Sequence, residues 1–357
     1  MKKILCVVLA LSLLFTLAFS FTSCGDDGRV TITVYNWGEY ISEGDDGLLD
    51  VIEEFEDATG IKVNYQNFAT NEELYAKLKN GAGDYDVIIP SEYMVSRMIE
   101  EDMLEKLDFS NIPNTKNLTE SFKTSEYDPT SEYSVPYLWG TVGIIYNSKY
   151  VTKTVDSWDI LWDADYKDKI LMFDNSRDAF GIALKRLGYS MNTTDLSQID
   201  EAAASLKDQA QVVQAYVMDQ IFDKMISEEA YIAPYYAGDY ITMVKDNPDL
   251  KFAIPKEGTN LFTDAMCIPK GAKHKTEAEM FINFMCEVQT GYSNAMAVGY
   301  SSPLSEVSEM IKNDADYAEY LPICYPSDEV LSNTEMFVHL PEEVLAYTQK
   351  HWIDICF

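Results

Sequence analysis

A chain of 357 residues with 47% apolar content can build two domains, each with its own core, and is not a bulk-disordered sequence. Asp and Glu number 59 against 27 Lys and Arg, a net charge of −32, so phosphate repulsion argues against nucleic acid as a partner. The same field suits a cationic ligand, although acidity also serves solubility.

Lys2 and Lys3 precede the apolar run Ile4–Phe21, which ends at Thr22-Ser23-Cys24. A basic start, an apolar middle and a small residue before a cleavage point make an export signal. With Cys24 at that point the segment resembles the lipobox of bacterial lipoproteins, although Phe21 stands where Leu is usual. The resemblance implies removal of residues 1–23, a lipid on Cys24 that holds the chain to a membrane, and a short tether over 24–29. A plain cleaved signal and a retained anchor are the alternatives. No later segment is long and apolar enough to span a bilayer. Four cysteines remain beyond the tether: Cys267, Cys286, Cys324 and Cys356. None forms a Cys-x-x-Cys, so neither a zinc nor a redox motif is supported. Cys324 and Cys356 are candidates for a bridge outside the cell.

Val30, Ile32 and Val34 alternate with threonines, the period of a strand. Leu48, Ile52 and Phe55 follow at helical spacing, closed by Gly60. Ile61–Tyr65 reads as a second strand, Thr70-x-x-Glu73 as a capping box, and Val87–Pro90 as a buried third strand before a helix carrying Met94, Val95, Met98 and Ile99. This alternation predicts a parallel α/β sheet whose ligands bind beyond the carboxyl ends of the strands. Asn36–Tyr40 and Ser91-Glu92-Tyr93 occupy that location. A polar surface connection spans 108–132. The apolar run Val135–Tyr146 then reads as a strand passing from one domain to another, with Gly140 and Gly143 lending backbone freedom.

A second α/β series follows. Its predicted helices lie around Trp158–Trp162 and over Asp178–Leu187, and its strands over Ile170–Phe173, Val212–Val217, Ala230–Pro234 and Leu250–Ile254. Phe262–Ile268 suits the return crossing, followed by helices around Ala278–Val288 and Thr290–Val298. The last stretch is acidic and irregular, with a helical pattern near Glu342–Lys350.

Three motifs, Tyr35-Asn36-Trp37-Gly38-Glu39-Tyr40, Tyr85-Asp86-Val87-Ile88-Ile89-Pro90-Ser91-x-Tyr93 and Ser134–Gly140, resemble the spermidine/putrescine-binding proteins of polyamine ABC transporters. So do Leu187-Gly188-Tyr189-Ser190, Pro255-Lys256-Glu257-Gly258 and Gly299-Tyr300, in the same order over residues 30–310. The last forty-odd residues match poorly. The resemblance implies a two-lobe periplasmic-binding-protein-like α/β fold of type II with crossing hinge strands. Lobe 1 would take 30–138 plus 265–305, and lobe 2 would take 139–264 plus 306–357. It further implies a monomeric extracytoplasmic binding protein, with no cofactor and no enzymatic activity, that captures putrescine or spermidine between the lobes and delivers it to a membrane permease. Carried over by position, Trp37 and Tyr40 would be aromatic walls with Glu39 near an amine, and Ser91 and Tyr93 would bond an ammonium end. Asp178 would take the other end, Asp264 would pair with a central or proximal amine, and Tyr236, Phe262 and Tyr300 would complete the aromatic lining. Asn175 stands where spermidine-preferring members carry a second carboxylate, and Asp239 and Phe262 match putrescine-preferring members. These departures lean toward a diamine, and a third amine would still need a partner.

The chemistry fits those residue types without the family. An organic cation needs spaced carboxylates and aromatic faces, because desolvating an ammonium is costly unless it is paired, and a cation–π contact returns about 0.5–2 kcal/mol. The competing reading among binding proteins is ferric iron, from the paired phenols Tyr235-Tyr236 and hard carboxylate ligands. An anchored hydrolase is the alternative from another class. The chain carries no Gly-x-Ser-x-Gly, His-Glu-x-x-His or phosphate loop, but carboxylate pairs suited to glycoside hydrolysis keep it open.

Overall fold

The computed structural model describes residues 28–81 and 83–356, so the export signal and Cys24 lie outside the described residues. Among those residues no helix is long and apolar enough to cross a membrane.

The first strand, β1 (Thr31–Trp37), runs farther than its alternating pattern because Tyr35 and Asn36 are also buried. It pairs in parallel with β2 (Lys62–Phe68) and β3 (Val87–Ile88). The first helix stops at Gly60 as the sequence predicts but starts at Val51, so Leu48 lies ahead of it, and the second starts after Thr70 as expected. Asp50 and Thr70 cap the helices Val51–Thr59 and Asn71–Lys79 through Glu53 N and Glu73 N, and Gly60 ends the first with a positive φ of 73°.

The long strand β4 (Ser134–Asn147) is buried along nearly its whole length because it serves both halves of the sheet. Further strands are β5 (Ile170–Phe173), β6 (Val213–Val217), β7 (Ile232–Tyr236), β8 (Leu250–Ala253), β9 (Thr259–Cys267) and β10 (Thr334–Glu335). The order is β2-β1-β3-β9-β4-β7-β5-β6, with β8 beside β4 and β10 beside β9. β4 runs antiparallel to β9 over Ser134–Thr141 and then pairs with β7 over Val142–Tyr146. The far end of β9 meets β3 at Cys267. β4 and β9 are therefore the crossing strands, and the sheet is mixed: parallel at each flank and antiparallel where the chain crosses. This is the two-lobe α/β architecture expected from the sequence.

Several local expectations are corrected. Gly140 and Gly143 have ordinary backbone angles, and their function is space. A Cβ on Gly140 would sit 3.0 Å from the Phe262 ring, and one on Gly143 would sit 2.3 Å from the Phe252 ring. Trp158–Trp162 is one 3₁₀ turn, capped by Ser157 through Asp159 N, because its aromatics anchor individually: Trp158 is fully buried and its indole donates to Gly258 O at 2.9 Å. The connection 108–132 is polar but not all surface, since buried Asp128 accepts from Tyr133 N, Ser134 N and the Ser134 hydroxyl. The tail is more ordered than its composition suggests. A helix over Glu342–Cys356 packs on the helices Ser176–Arg186 and Leu196–Gln209. The proposed Cys324–Cys356 bridge is absent, and both thiols are free. Cys324 is buried against Gly299 O and the Tyr317 hydroxyl, whereas Cys356 ends the C-terminal helix.

Candidate functional site

Every residue expected at the site lines one cleft between the strand ends of the two halves. On the first half β1 delivers Trp37, whose ring leans on Phe68 at 4.5 Å. Glu39 takes a left-handed φ of 50°, and this turn sends Tyr40 inward while Glu39 stays exposed. The Tyr40 hydroxyl donates to Asp264 Oδ2 at 2.8 Å, and its carbonyl accepts from the Tyr137 hydroxyl.

Ser91 occupies the N-cap of the helix Glu92–Glu100 but makes no capping bond. Its hydroxyl donates instead to Asp264 Oδ1 at 2.7 Å. A residue type usually spent on helix stability is thus spent on the cleft. Asn71 fixes both neighbours: its amide donates to the Ser91 hydroxyl at 3.1 Å and to the Tyr93 hydroxyl at 3.0 Å. Tyr93 donates onward to Glu72 at 3.1 Å.

The second half supplies carboxyls from helix starts. Asp178 lies in the first turn of Ser176–Arg186, where the Asn175 side chain caps the helix and donates to Asp178 Oδ2 at 2.6 Å. The Tyr236 hydroxyl donates to the same oxygen at 3.2 Å. Asp239 lies in the first turn of the helix Ala237–Asp246 and accepts from the Tyr300 hydroxyl at 2.9 Å. The rings form a connected wall. Tyr236 meets Phe262 at 5.4 Å, Phe262 meets Tyr300 at 5.7 Å, and Tyr300 meets Tyr40 at 5.3 Å, all edge to face. Gly238 makes room for this wall, because a Cβ there would fall 2.1 Å from the Tyr300 ring.

Burial sets the electrostatics. It pushes Asp264 up to about 6, Asp178 and Asp239 to about 7, and Glu92 to about 8, each against the hydrogen bonds it accepts. Asp219 and Glu39 add like charge against Asp239, and Asp264 adds it against Glu92. Among the described residues the hydrogen-bond partners of Asp178, Asp239 and Asp264 are hydroxyls and an amide, not an ammonium or guanidinium. Arg177 is the nearby cation; burial lowers it to about 10, and its charge favours ionised Asp178. Desolvated carboxyls among aromatic faces attract an organic cation, since its charge restores what burial removed.

Tyr235 and Tyr236 donate to Asp219 at 3.5 Å and Asp178 at 3.2 Å, and burial holds both phenols well above their usual range. Phenols held as hydrogen-bond donors fit the carboxyls better than they fit iron-binding phenolates.

The cleft also holds residues that sequence reasoning missed. Glu92, read only as part of a motif, is 1% exposed, and its side chain accepts from Thr263 N at 3.0 Å. Asp219 stands across from Gly38, where a Cβ would lie 3.5 Å from its carboxylate. Phe337 comes from the tail and meets Tyr93 edge-on at 6.0 Å, with the Arg177 guanidinium 4.4 Å over its ring. The one local signal was the aromatic Phe337 within an acidic stretch; a glutamate at a helix start reads as a solvated first-turn acid.

Residues 84–324 match the family described as bacterial extracellular solute-binding protein, and residues 1–126 match a hypothetical lipoprotein family (MG045 family). The spermidine/putrescine-binding periplasmic protein of Salmonella typhimurium is 33% identical, over 89% of this chain and 90% of its own. A crystal structure of the spermidine/putrescine ABC transporter substrate-binding protein PotD from Streptococcus pneumoniae superposes with a TM-score of 0.77 at 34% identity, covering 92% of this chain and 98% of that one. The Tp0655 (TpPotD) lipoprotein of Treponema pallidum superposes with a TM-score of 0.78 at 28% identity, covering 91% and 99%.

Proposed function

The chain belongs to the bacterial extracellular solute-binding proteins, and from that premise we propose that it captures a polyamine, putrescine or spermidine, and delivers it to the permease of an ABC transporter. The observation that carries this reading is the set Asp178, Asp239 and Asp264: three desolvated carboxyls bonded to neutral donors and spaced along one aromatic wall. Asp178 and Asp239, drawn from different helix starts, suit the ends of the chain, and Asp264 suits an amine between them. Trp37, Tyr40, Tyr236, Phe262 and Tyr300 pack against methylenes and face the cations. Ser91 orients Asp264 at the middle amine, Tyr93 stands by the Asp178 end, and Glu39 and Asp219 add charge at the Asp239 end. Each ammonium placed here replaces a carboxyl's lost solvation, and the role is capture, in keeping with the solute-binding family.

Residues 30–138 with 265–305 act as one lobe and 139–264 with 306–357 as the other, closing about β4 and β9. The closed form presents both lobes to the permease. A lipid on Cys24 keeps the monomer on the outer face of the membrane, in keeping with the lipoprotein named for the Treponema relative. The test is thermal denaturation with putrescine, spermidine, lysine and calcium. Ligand at about 100 times its Kd should add about 2.7 kcal/mol of stability. A rise in Tm with a polyamine and none with lysine or calcium is expected. No rise with either polyamine contradicts the reading.

A further inference from the structure

Glu92 is the one buried carboxyl of the cleft that the roles above leave unused. It opens the helix Glu92–Glu100 directly after Ser91, and Ser91 forms an isolated antiparallel bridge with Asp264. That pairing sets residue 92 against residue 263, and Oε2 of Glu92 accepts from Thr263 N at 3.0 Å. Oε1 has no partner among the described residues, although the side chain is 1% exposed and lines the cleft beside Asp264. A buried acceptor without a donor is costly, so its place at the cleft wall calls for a donor from outside the chain.

We infer that Glu92 and Asp264 together receive the secondary ammonium of a triamine. A secondary ammonium carries two N–H donors, and one carboxylate already engaged by two hydroxyls serves it less well than two carboxylates. Asp264 spends one lone pair of each oxygen on Ser91 and Tyr40, while Oε1 of Glu92 is free. Glu92 thereby supplies the partner that Asn175 does not. A diamine, with two ends held at Asp178 and Asp239, does not need it. The charged and titratable groups facing Glu92 are Asp264 from β9, Arg177 from the helix Ser176–Arg186 and Tyr127 from the long connection. Asp264 opposes the ionisation of Glu92 and Arg177 favours it. Entry of a third cation completes that ionisation, and the proton leaves to the buffer.

This inference rests on the polyamine reading, and the experiment separates the two. Wild-type protein and Glu92→Gln are titrated calorimetrically with spermidine and with putrescine at pH 7, in two buffers of different ionisation enthalpy. Gln keeps an acceptor for the Thr263 N–H but removes the charge. The expected result is a spermidine Kd weakened ~10-fold or more and a putrescine Kd changed less than ~3-fold, from the worth of a buried bond to a charged group. The extra proton that spermidine releases relative to putrescine should vanish in the variant. Unchanged spermidine affinity with unchanged proton release makes Glu92 an anchor of β9 only and overturns the inference. Equal weakening of both ligands overturns the assignment to a third amine. Wild-type protein that binds neither ligand removes the polyamine reading and the inference with it.

Discussion

Lowering the pH from 8 to 6 should weaken diamine binding about a hundredfold. Asp178 and Asp239 titrate near 7 because burial disfavours their charge. Each is then about nine-tenths ionised at pH 8 and about one-tenth ionised at pH 6, roughly a tenfold loss apiece if the ligand binds only the ionised form, or about 1.4 kcal/mol each. Asp264, near 6, adds about a further factor of two. The sign is opposite for the unliganded fold. A carboxyl whose folded pKa is raised destabilises the folded state as it ionises, so these groups lower stability as pH rises from about 4 through about 7. Unliganded protein should therefore melt higher at pH 5.5 than at pH 8 on their account, while the increment from added ligand grows with pH. Calorimetry across that range, in two buffers, reads both the affinity and the protons released. Equal affinity at pH 6 and pH 8 with no proton release would refute the claim that desolvated carboxyls hold the ligand.

Gly238→Ala should cost tenfold or more in affinity, because the new Cβ would lie 2.1 Å from the Tyr300 ring and displace its hydroxyl from Asp239; overpacking should lower stability by about 1–3 kcal/mol, read by chemical denaturation. Asn175→Asp should favour spermidine over putrescine in a competition titration by adding charge beside Asp178, and it should lower the Tm of the unliganded protein at pH 8 through like-charge repulsion. Reductant should leave the Tm unchanged, since the four described cysteines are free; a drop on adding reductant would indicate a bridge.

The strands and the crossing runs were legible because their signal is local. β1 alternates, β3 is a short apolar run, and β4 is a long one that had to be buried in two settings. The first-half site was legible for the same reason, since Trp37, Tyr40, Ser91 and Tyr93 follow strands at positions where an open sheet exposes its ends. Asp178, Asp239 and Asp264 were singled out by resemblance; composition alone gave no ground for preferring them among so many acids. What stayed hidden was non-local. Glu92 is buried and tied to Thr263 N on β9, far away in sequence. Phe337 reaches the cleft because Asn192 holds the backbone on either side of it, with Met336 O accepting from Nδ2 and Val338 N donating to Oδ1. No period in a sequence reports such a tie. The Trp158–Trp162 aromatics mimic a helical stripe, yet each is fixed by its own partner, Trp158 by Gly258 and Trp162 by Ser205.

The central claim is that this cleft holds an organic polycation. Isothermal titration of the purified protein with putrescine and spermidine at pH 8, alongside Asp264→Asn and Trp37→Ala, tests it most directly. One site per chain is expected for at least one of the two polyamines, with sharply weaker binding in both variants. No heat with either polyamine, or binding that both variants leave intact, would contradict it.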